Sequence, residues 1–234
     1  MKYSNKTWRA CALCMLAALA MTTGCQNKPA ETADSTNAAT DSVVAESPLD
    51  NAVVRAIMDR RSVRKYKPEP VPKEMLDVIL HCGINAPNAM NEQRWEVRVT
   101  NSKAFIDGVT KVFVKSAEND ERVKKMVENP DFHNMFRNAP TVIFVAGKAD
   151  EKSSPIDCGM LGENIMLAAQ SMGLGTCCLG SAAGFLNSNP GAANYLKQLA
   201  FSDGYELLYA IAIGYPDESP EAKPRDASKI RYIE

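Results

Sequence analysis

Apolar residues return along this chain with two different periods, and each period names an element. Leu49, Val53, Val54, Ile57 and Met58 recur at helical spacing. Ser47 can cap this stretch, Pro48 suits a first helical position and Asp50 completes a capping box, so a helix running to Arg60-Arg61 is predicted. Pro68, Pro70 and Pro72 then interrupt the chain, and Pro72 opens a second helix whose buried side would be Met75, Leu76, Val78, Ile79 and Cys82, ended by residues 83–87. Residues 95–99 alternate apolar and polar, as a half-buried strand does. From Ser102 to about Asn129 the pattern is helical again, with Phe105, Val109, Val112 and Phe113 apolar. The continuous apolar run 141–146, bounded by Pro140 and Gly147, fits a strand covered on both faces.

Residues 155–172 form a long helical stretch in which Asp157, Glu163, Asn164 and Gln170 are almost the only polar side chains, which predicts burial on all sides. Gly159, Gly162, Ala168 and Ala169 would admit another helix closely, so this element suits a domain centre or a dimer interface. Residues 173–175 end it, and 176–179 read as a strand or an extended loop. A further helix follows Pro190, residues 207–213 give another buried strand, and the tail after Gly214 is rich in proline and charge. Helices and strands alternate with connections of very unequal length, which indicates a layered α+β domain more than a regular doubly wound sheet.

The N-terminus follows other rules. Lys2, Lys6 and Arg9 precede an uncharged stretch from Ala10 to Met21, too short for a spanning helix of about 20 residues but suited to a secretory signal. It closes on Thr22-Thr23-Gly24-Cys25, which resembles a bacterial lipobox with Thr22 where Leu is usual; Cys25 would then be lipidated, and the alternative is an ordinary cleaved signal. Residues 26–50 carry no aromatic and no period and read as a disordered tether. Three segments result: a signal at 1–24, the lipidated Cys25 with its tether at 25–50, and a folded domain at 51–234. The protein would be exported and membrane-anchored.

The 234 residues carry a net charge of −1 and are 45% hydrophobic, which excludes a mostly disordered chain and a nucleic-acid surface built on phosphate neutralisation. The average conceals +3 on the signal and −4 on the tether, leaving the domain neutral. Within it Arg60, Arg61, Arg64, Lys65 and Lys67 cluster at one end, and Lys223, Arg225, Lys229 and Arg231 at the other. Arg60, Ser62 and Arg64 would suit a phosphate monoester; equally, bases at a helix C-terminus can simply complement its dipole. Cys11 and Cys14 fall inside the signal. Of the remaining cysteines, Cys177-Cys178 could form a vicinal disulfide or, more simply, be two buried small side chains, and no metal-ligand spacing joins them to Cys82, Cys158, His81 or His133. GxGxxG, GxxxxGK[ST] and GxSxG are absent, and Gly173-Leu174-Gly175 ends a helix instead of opening one. With no nucleophile-base pair evident, an enzyme built on this sequence needs a cofactor.

Four stretches carry a resemblance. Arg60-Arg61-Ser62-Val63-Arg64-Lys65-Tyr66 and Ala86-Pro87-Asn88-Ala89-Met90-Asn91-Glu92-Gln93-Arg94-Trp95 resemble the two N-terminal signatures of the FMN-dependent nitroreductase family. Gly173-Leu174-Gly175-Thr176-Cys177-Cys178-Leu179-Gly180 resembles its flavin-face loop, and Ala212-Ile213-Gly214-Tyr215-Pro216 with Lys223-Pro224-Arg225 its C-terminal signature. The resemblance implies a mixed-sheet α+β fold with flanking helices, forming a homodimer with one FMN at each end of the interface. Arg60, Lys223 and Arg225 would hold the FMN phosphate, with Arg61 and Ser62 alongside, and Arg64 would approach the N1/O2 edge of the ring. Pro87, Asn88, Ala89 and Asn91 would approach from the partner subunit. Cys178 and Leu179 would lie in the flavin-face loop, and the backbone N–H groups of Gly180 and Ser181 would face N5 and O4.

Two departures from the family pattern bear on the ring edge: Gln93-Arg94-Trp95 stands where Gln-Pro-Trp is common, and Asn88-Ala89 where a Ser pair is frequent. The implied reaction passes hydride from a nicotinamide donor through flavin N5 to a nitroaromatic, quinone or similar acceptor. The donor outside the cytoplasm is left open. Alternatives are a non-catalytic flavin-binding lipoprotein, or another flavin chemistry such as ring fragmentation; dehalogenation is disfavoured because no Tyr occurs from Lys67 to Asn194. Phe113, Phe132, His133 and Phe136, in the segment that would set the substrate, line a pocket or, more simply, fill a core.

Overall fold

The computed structural model describes residues 51–233. The signal, Cys25, the tether and the proposed Ser47-Pro48 helix start lie outside the described residues. Helix α1 (Ala52–Asp59) is capped by Asn51, whose Oδ1 accepts from the N–H groups of Val53 at 3.0 Å and Val54 at 3.1 Å. Helix α2 (Lys73–Ile84) starts directly after Pro72. Strand β1 (Trp95–Thr100) leads to α3 (Lys103–Lys115), capped by Ser102. The helix expected to run to about Asn129 breaks here. A 3-10 turn, Ser116–Asn119, intervenes, and Asp120 caps a separate α4 (Glu121–Val127) by accepting from Arg122 N–H at 2.8 Å. A polar run ending in an Asp offers the backbone a competing partner, so the helix restarts there.

Strand β2 (Thr141–Lys148), helix α5 (Ser154–Ser171), strand β3 (Gly175–Leu179), helices α6 (Gly180–Ser188) and α7 (Ala193–Gln198), and strand β4 (Tyr205–Gly214) complete the domain. The strands form one antiparallel sheet ordered β1-β2-β4-β3, with Val97 opposite Val145, Ile143 opposite Ile211 and Cys177 opposite Ala212. A parallel bridge from Ser62 to Thr176 makes the β3 edge mixed.

Both faces of the sheet are covered. Val142, Phe144, Cys177, Ala210 and Ala212 pack with Val109, Phe113 and Phe136 and with Ala183 and Leu186 of α6. Ile143, Val145, Ile211 and Ile213 pack against Leu76, Ile79, Leu161 and Ile165 of α2 and α5. The unbroken apolar run of β2 therefore reflects burial on two sides.

Several expectations change. In the single chain helix α5 is not buried all round: Asp157, Cys158, Leu161, Ile165 and Ala169 are buried, while Ile156 and Gly159 are exposed. On α2 the buried residues are Leu76, Ile79 and Gly83; Val78 and Cys82 face outward. The apolar stripe of α1 is present but uncovered in the single chain, with Val53 and Met58 each 66% exposed. Helix α6 is not marked by periodicity, because two glycines and two alanines among its residues blur the period. Phe113 and Phe136 belong to the core, as favoured, whereas His133 is exposed. Consecutive residues of a strand point to opposite faces, which leaves Cys177 buried and Cys178 exposed, both as free thiols. Neither a vicinal disulfide nor a pair of buried thiols is what the fold contains.

Candidate functional site

The segment leaving α1 is sewn to the outer edge of β3. Val63 N–H donates to Thr176 O at 2.9 Å, and Gly175 makes the approach possible: a Cβ there would lie 2.8 Å from Val63 Cβ. The C-terminal signature closes on the same segment, with Lys67 N–H donating to Tyr215 O and Asp217 N–H to Lys65 O, both at 2.9 Å, and Arg64 N–H to the Glu218 carboxylate. Two stretches about 150 residues apart thus become neighbours.

Along this edge the basic residues separate by role. Arg60 reaches Glu163 of α5 at 3.7 Å and lies beside Cys178. Arg61 folds back, donating through Nη1 to Met58 O at 2.6 Å and Arg60 O at 2.8 Å, so its charge sits on the carbonyl end of α1. Arg64 donates to Ser62 O at 2.9 Å. Burial pushes the Cys177 thiol up, against Arg64, Arg137, Ser62 and Arg60, all of which favour its thiolate. Arg60, Ser62 and Arg64 therefore lie along the edge of β3, and Arg137 joins them from the segment before β2. Asn134 and Asn138, four residues apart around that arginine, were the available signal of a tight turn.

β3 runs without a break into α6, so Gly180 and Ser181 stand exposed at a helix N-terminus whose first N–H groups have no intrahelical partner. Space is open where a Gly180 Cβ would be. Within β3, Leu179 is buried and Cys178 exposed. Thr176 Oγ1 is buried without a hydrogen-bond partner among the described residues.

Residues 87–93 form a strained loop elsewhere. Met90, Asn91 and Gln93 have φ of 54°, 54° and 50°, and Asn88 Oδ1 holds Gln93 N–H at 2.9 Å. Ala89 N–H donates to Oδ1 of buried Asp157 at 3.2 Å. Arg94, in the place where the family usually has proline, pairs with Glu92 and with Glu151 at 3.0 Å, and so ties the loop to the turn before α5. Pro87 and Asn91 are exposed. None of Pro87, Asn88, Ala89 and Asn91 is hydrogen-bonded or ion-paired to Arg60 or Arg64 within one chain. Lys223 and Arg225 are likewise exposed, and the Arg225 guanidinium donates only to Lys223 O, at 3.0 Å, among the described residues. The described residues contain no group of three His, Cys, Asp or Glu suited to a metal.

This fold and edge are those of one family: residues 57–215 match the model of the nitroreductase family, and the chain belongs to it. It is 32% identical over 173 residues to a protein of Methanothermobacter thermautotrophicus, covering 72% of this chain and 79% of that one. To the Bacillus subtilis protein named FMN reductase (NAD(P)H) it is 28% identical over 189 residues, covering 75% and 70%. A crystal structure described as a nitroreductase with bound FMN from Desulfitobacterium hafniense superimposes with a TM-score of 0.72 at 27% identity, over 79% of this chain and 100% of that one.

Proposed function

We propose that this protein is an exported, homodimeric, FMN-dependent NAD(P)H oxidoreductase that reduces nitroaromatic, quinone or similar acceptors. The observation that carries the reading is the convergence of Arg60, Ser62 and Arg64 on the edge of β3, next to the open N-terminus of α6. Guanidinium forks, a hydroxyl and unpaired backbone N–H groups beside an uncrowded glycine are the donor set that a phosphate and the polar edge of a flavin require. Arg60, with Lys223, Arg225 and Ser62, would hold the phosphate, and Arg61 would buttress Arg60 from the end of α1. Arg64 would favour negative charge on the N1/O2 edge, while Gly180 and Ser181 would orient N5 and O4. When bound, FMN supplies the chemistry itself, taking hydride at N5 from a donor and passing it to an acceptor that follows in the same space.

The exposed apolar faces of α1 (Val53, Ile57, Met58) and α5 (Ile156) support a homodimer, since a lone soluble domain gains nothing by leaving them wet. Residues 87–91 would then serve the partner's flavin. Cys25 and the tether would hold the dimer at a membrane surface, where the physiological donor need not be a nicotinamide. Detergent-extracted from the membrane fraction, the protein should show flavin absorbance and lose it anaerobically with NADH or NADPH. Cys25→Ser should keep the flavin but leave the membrane fraction. A colourless protein that ignores added FMN overturns the flavin reading, and membrane retention of Cys25→Ser overturns the anchor.

A further inference from the structure

The turn 131–139 is built to present one side chain. Asn134 Oδ1 accepts from the N–H groups of Phe136 at 2.9 Å and Asn138 at 3.1 Å, while Asn138 Oδ1 accepts from His133 at 2.8 Å and Asn134 at 2.9 Å. Asn138 Nδ2 also donates to Asp131 O at 2.6 Å. Arg137 sits between this brace and Phe136, which is fully buried in the core. Both Arg137 and Asn138 take left-handed backbone, with φ of 59° and 64°, a conformation that arginine rarely adopts unless its surroundings impose it.

What the brace presents is a half-buried guanidinium with no hydrogen-bond or ion-pair partner among the described residues. Arg137 shares with Arg64 a cleft of about 190 Å³. The two acids of this cleft have other partners within it: Asp131 pairs with Lys65 Nζ at 3.1 Å, and Glu218 accepts the backbone N–H of Arg64 instead of either guanidinium, which leaves Arg137 uncompensated. Exposed Arg64 and half-buried Arg137 put two like charges on one open cleft, where an anion between them relieves their repulsion. Paired forks match a planar carboxylate. Met126 and Phe132 supply an apolar wall, and the volume is below that of pockets for drug-sized ligands, suiting one aromatic ring with one acid group.

We infer that the Arg64–Arg137 cleft is a subsite for the carboxylate of the acceptor, so that the enzyme prefers acidic single-ring aromatics to their neutral counterparts. The inference rests on the oxidoreductase reading above. Arg64 would also serve the flavin, which makes Arg137 the discriminating residue.

The test uses FMN-loaded full-length protein and a matched pair of acceptors, 4-nitrobenzoate and 4-nitrobenzamide. The wild type should favour the acid about tenfold in kcat/KM, a ratio worth about 1.4 kcal/mol, and Arg137→Gln should bring the ratio close to one. Benzoate, which is not reduced, should perturb the flavin absorbance of the wild type and not that of Arg137→Gln, while Arg137→Lys should keep part of the preference through its charge. Equal use of acid and amide by the wild type, or a preference that survives in Arg137→Gln, overturns the subsite. So does loss of FMN from Arg137→Gln with its recovery in Arg137→Lys, which would assign the residue to the flavin. A wild type without flavin refutes the oxidoreductase reading instead, whereas a flavin-loaded wild type indifferent to benzoate refutes the subsite alone.

Discussion

Glu96 shows how a single polar side chain is kept in β1. Partial burial opposes its ionisation, but hydrogen bonds from Ser202 and the adjacent Arg98 guanidinium prevail and hold the carboxyl below the usual range. Arg98 in turn donates to Leu199 O at 2.8 Å and Ala200 O at 2.7 Å and lies over the Phe201 ring. Because the folded pKa is lowered, the stabilisation is present above the ordinary glutamate value of 4.5 and is lost as pH falls through the folded value. Glu96→Gln should therefore lower stability at pH 7 by about 1.5 kcal/mol, the scale of a hydrogen bond to a charged group, and match the wild type in acid. Thermal unfolding across pH measures this; a constant gap at every pH would sink it. The alternation that made 95–99 a strand was legible, but Ser202, the partner that sets this pKa, lies more than a hundred residues away.

Elements show the same division. Strand β3 could be read only as a strand or a loop, because Thr176 to Leu179 are few and the cysteines are ambiguous; pairing with β4 decides it. Its first residue is the contact point for the segment leaving α1. A side chain on Gly175 would meet Val63 Cβ, Cγ1 and Cγ2 at 2.8–2.9 Å, and Val63 holds Ser62 and Arg64 against the sheet. Gly175→Ala should cost about 1–3 kcal/mol, as overpacking does, and should weaken FMN binding more than it lowers Tm. Flavin titration against calorimetry separates these effects, and unchanged FMN affinity would remove the strand edge from the site. Helix α5 shows the limit from the other side: a sequence apolar on nearly every side was expected in a domain centre or a dimer interface, and within one chain the face toward α2 and the sheet is the covered one.

For the whole molecule, the uncovered apolar surfaces decide the next experiment. Ile57 is 51% exposed at the centre of the α1 stripe, and Ile156 is 66% exposed on α5. Ile57→Glu should give a monomer by sedimentation that has also lost FMN, since residues 87–91 would no longer reach a partner's site. A flavin-loaded monomer would show that each chain completes its own site. Periodicity, capping and turn residues act over a few positions, so the amino-acid sequence by itself determined the order of most helices and strands, the net neutrality of residues 51–234 against a basic first stretch and an acidic 26–50, and the basic stretch at 60–67. The four motifs that suggested the family are also local and could be read in order. Pairing across the sheet acts over more than a hundred residues, so only the tertiary structure decided that Glu218 lies against Arg64, that Cys177 and Cys178 face opposite ways, and that Arg137 shares a cleft with Arg64.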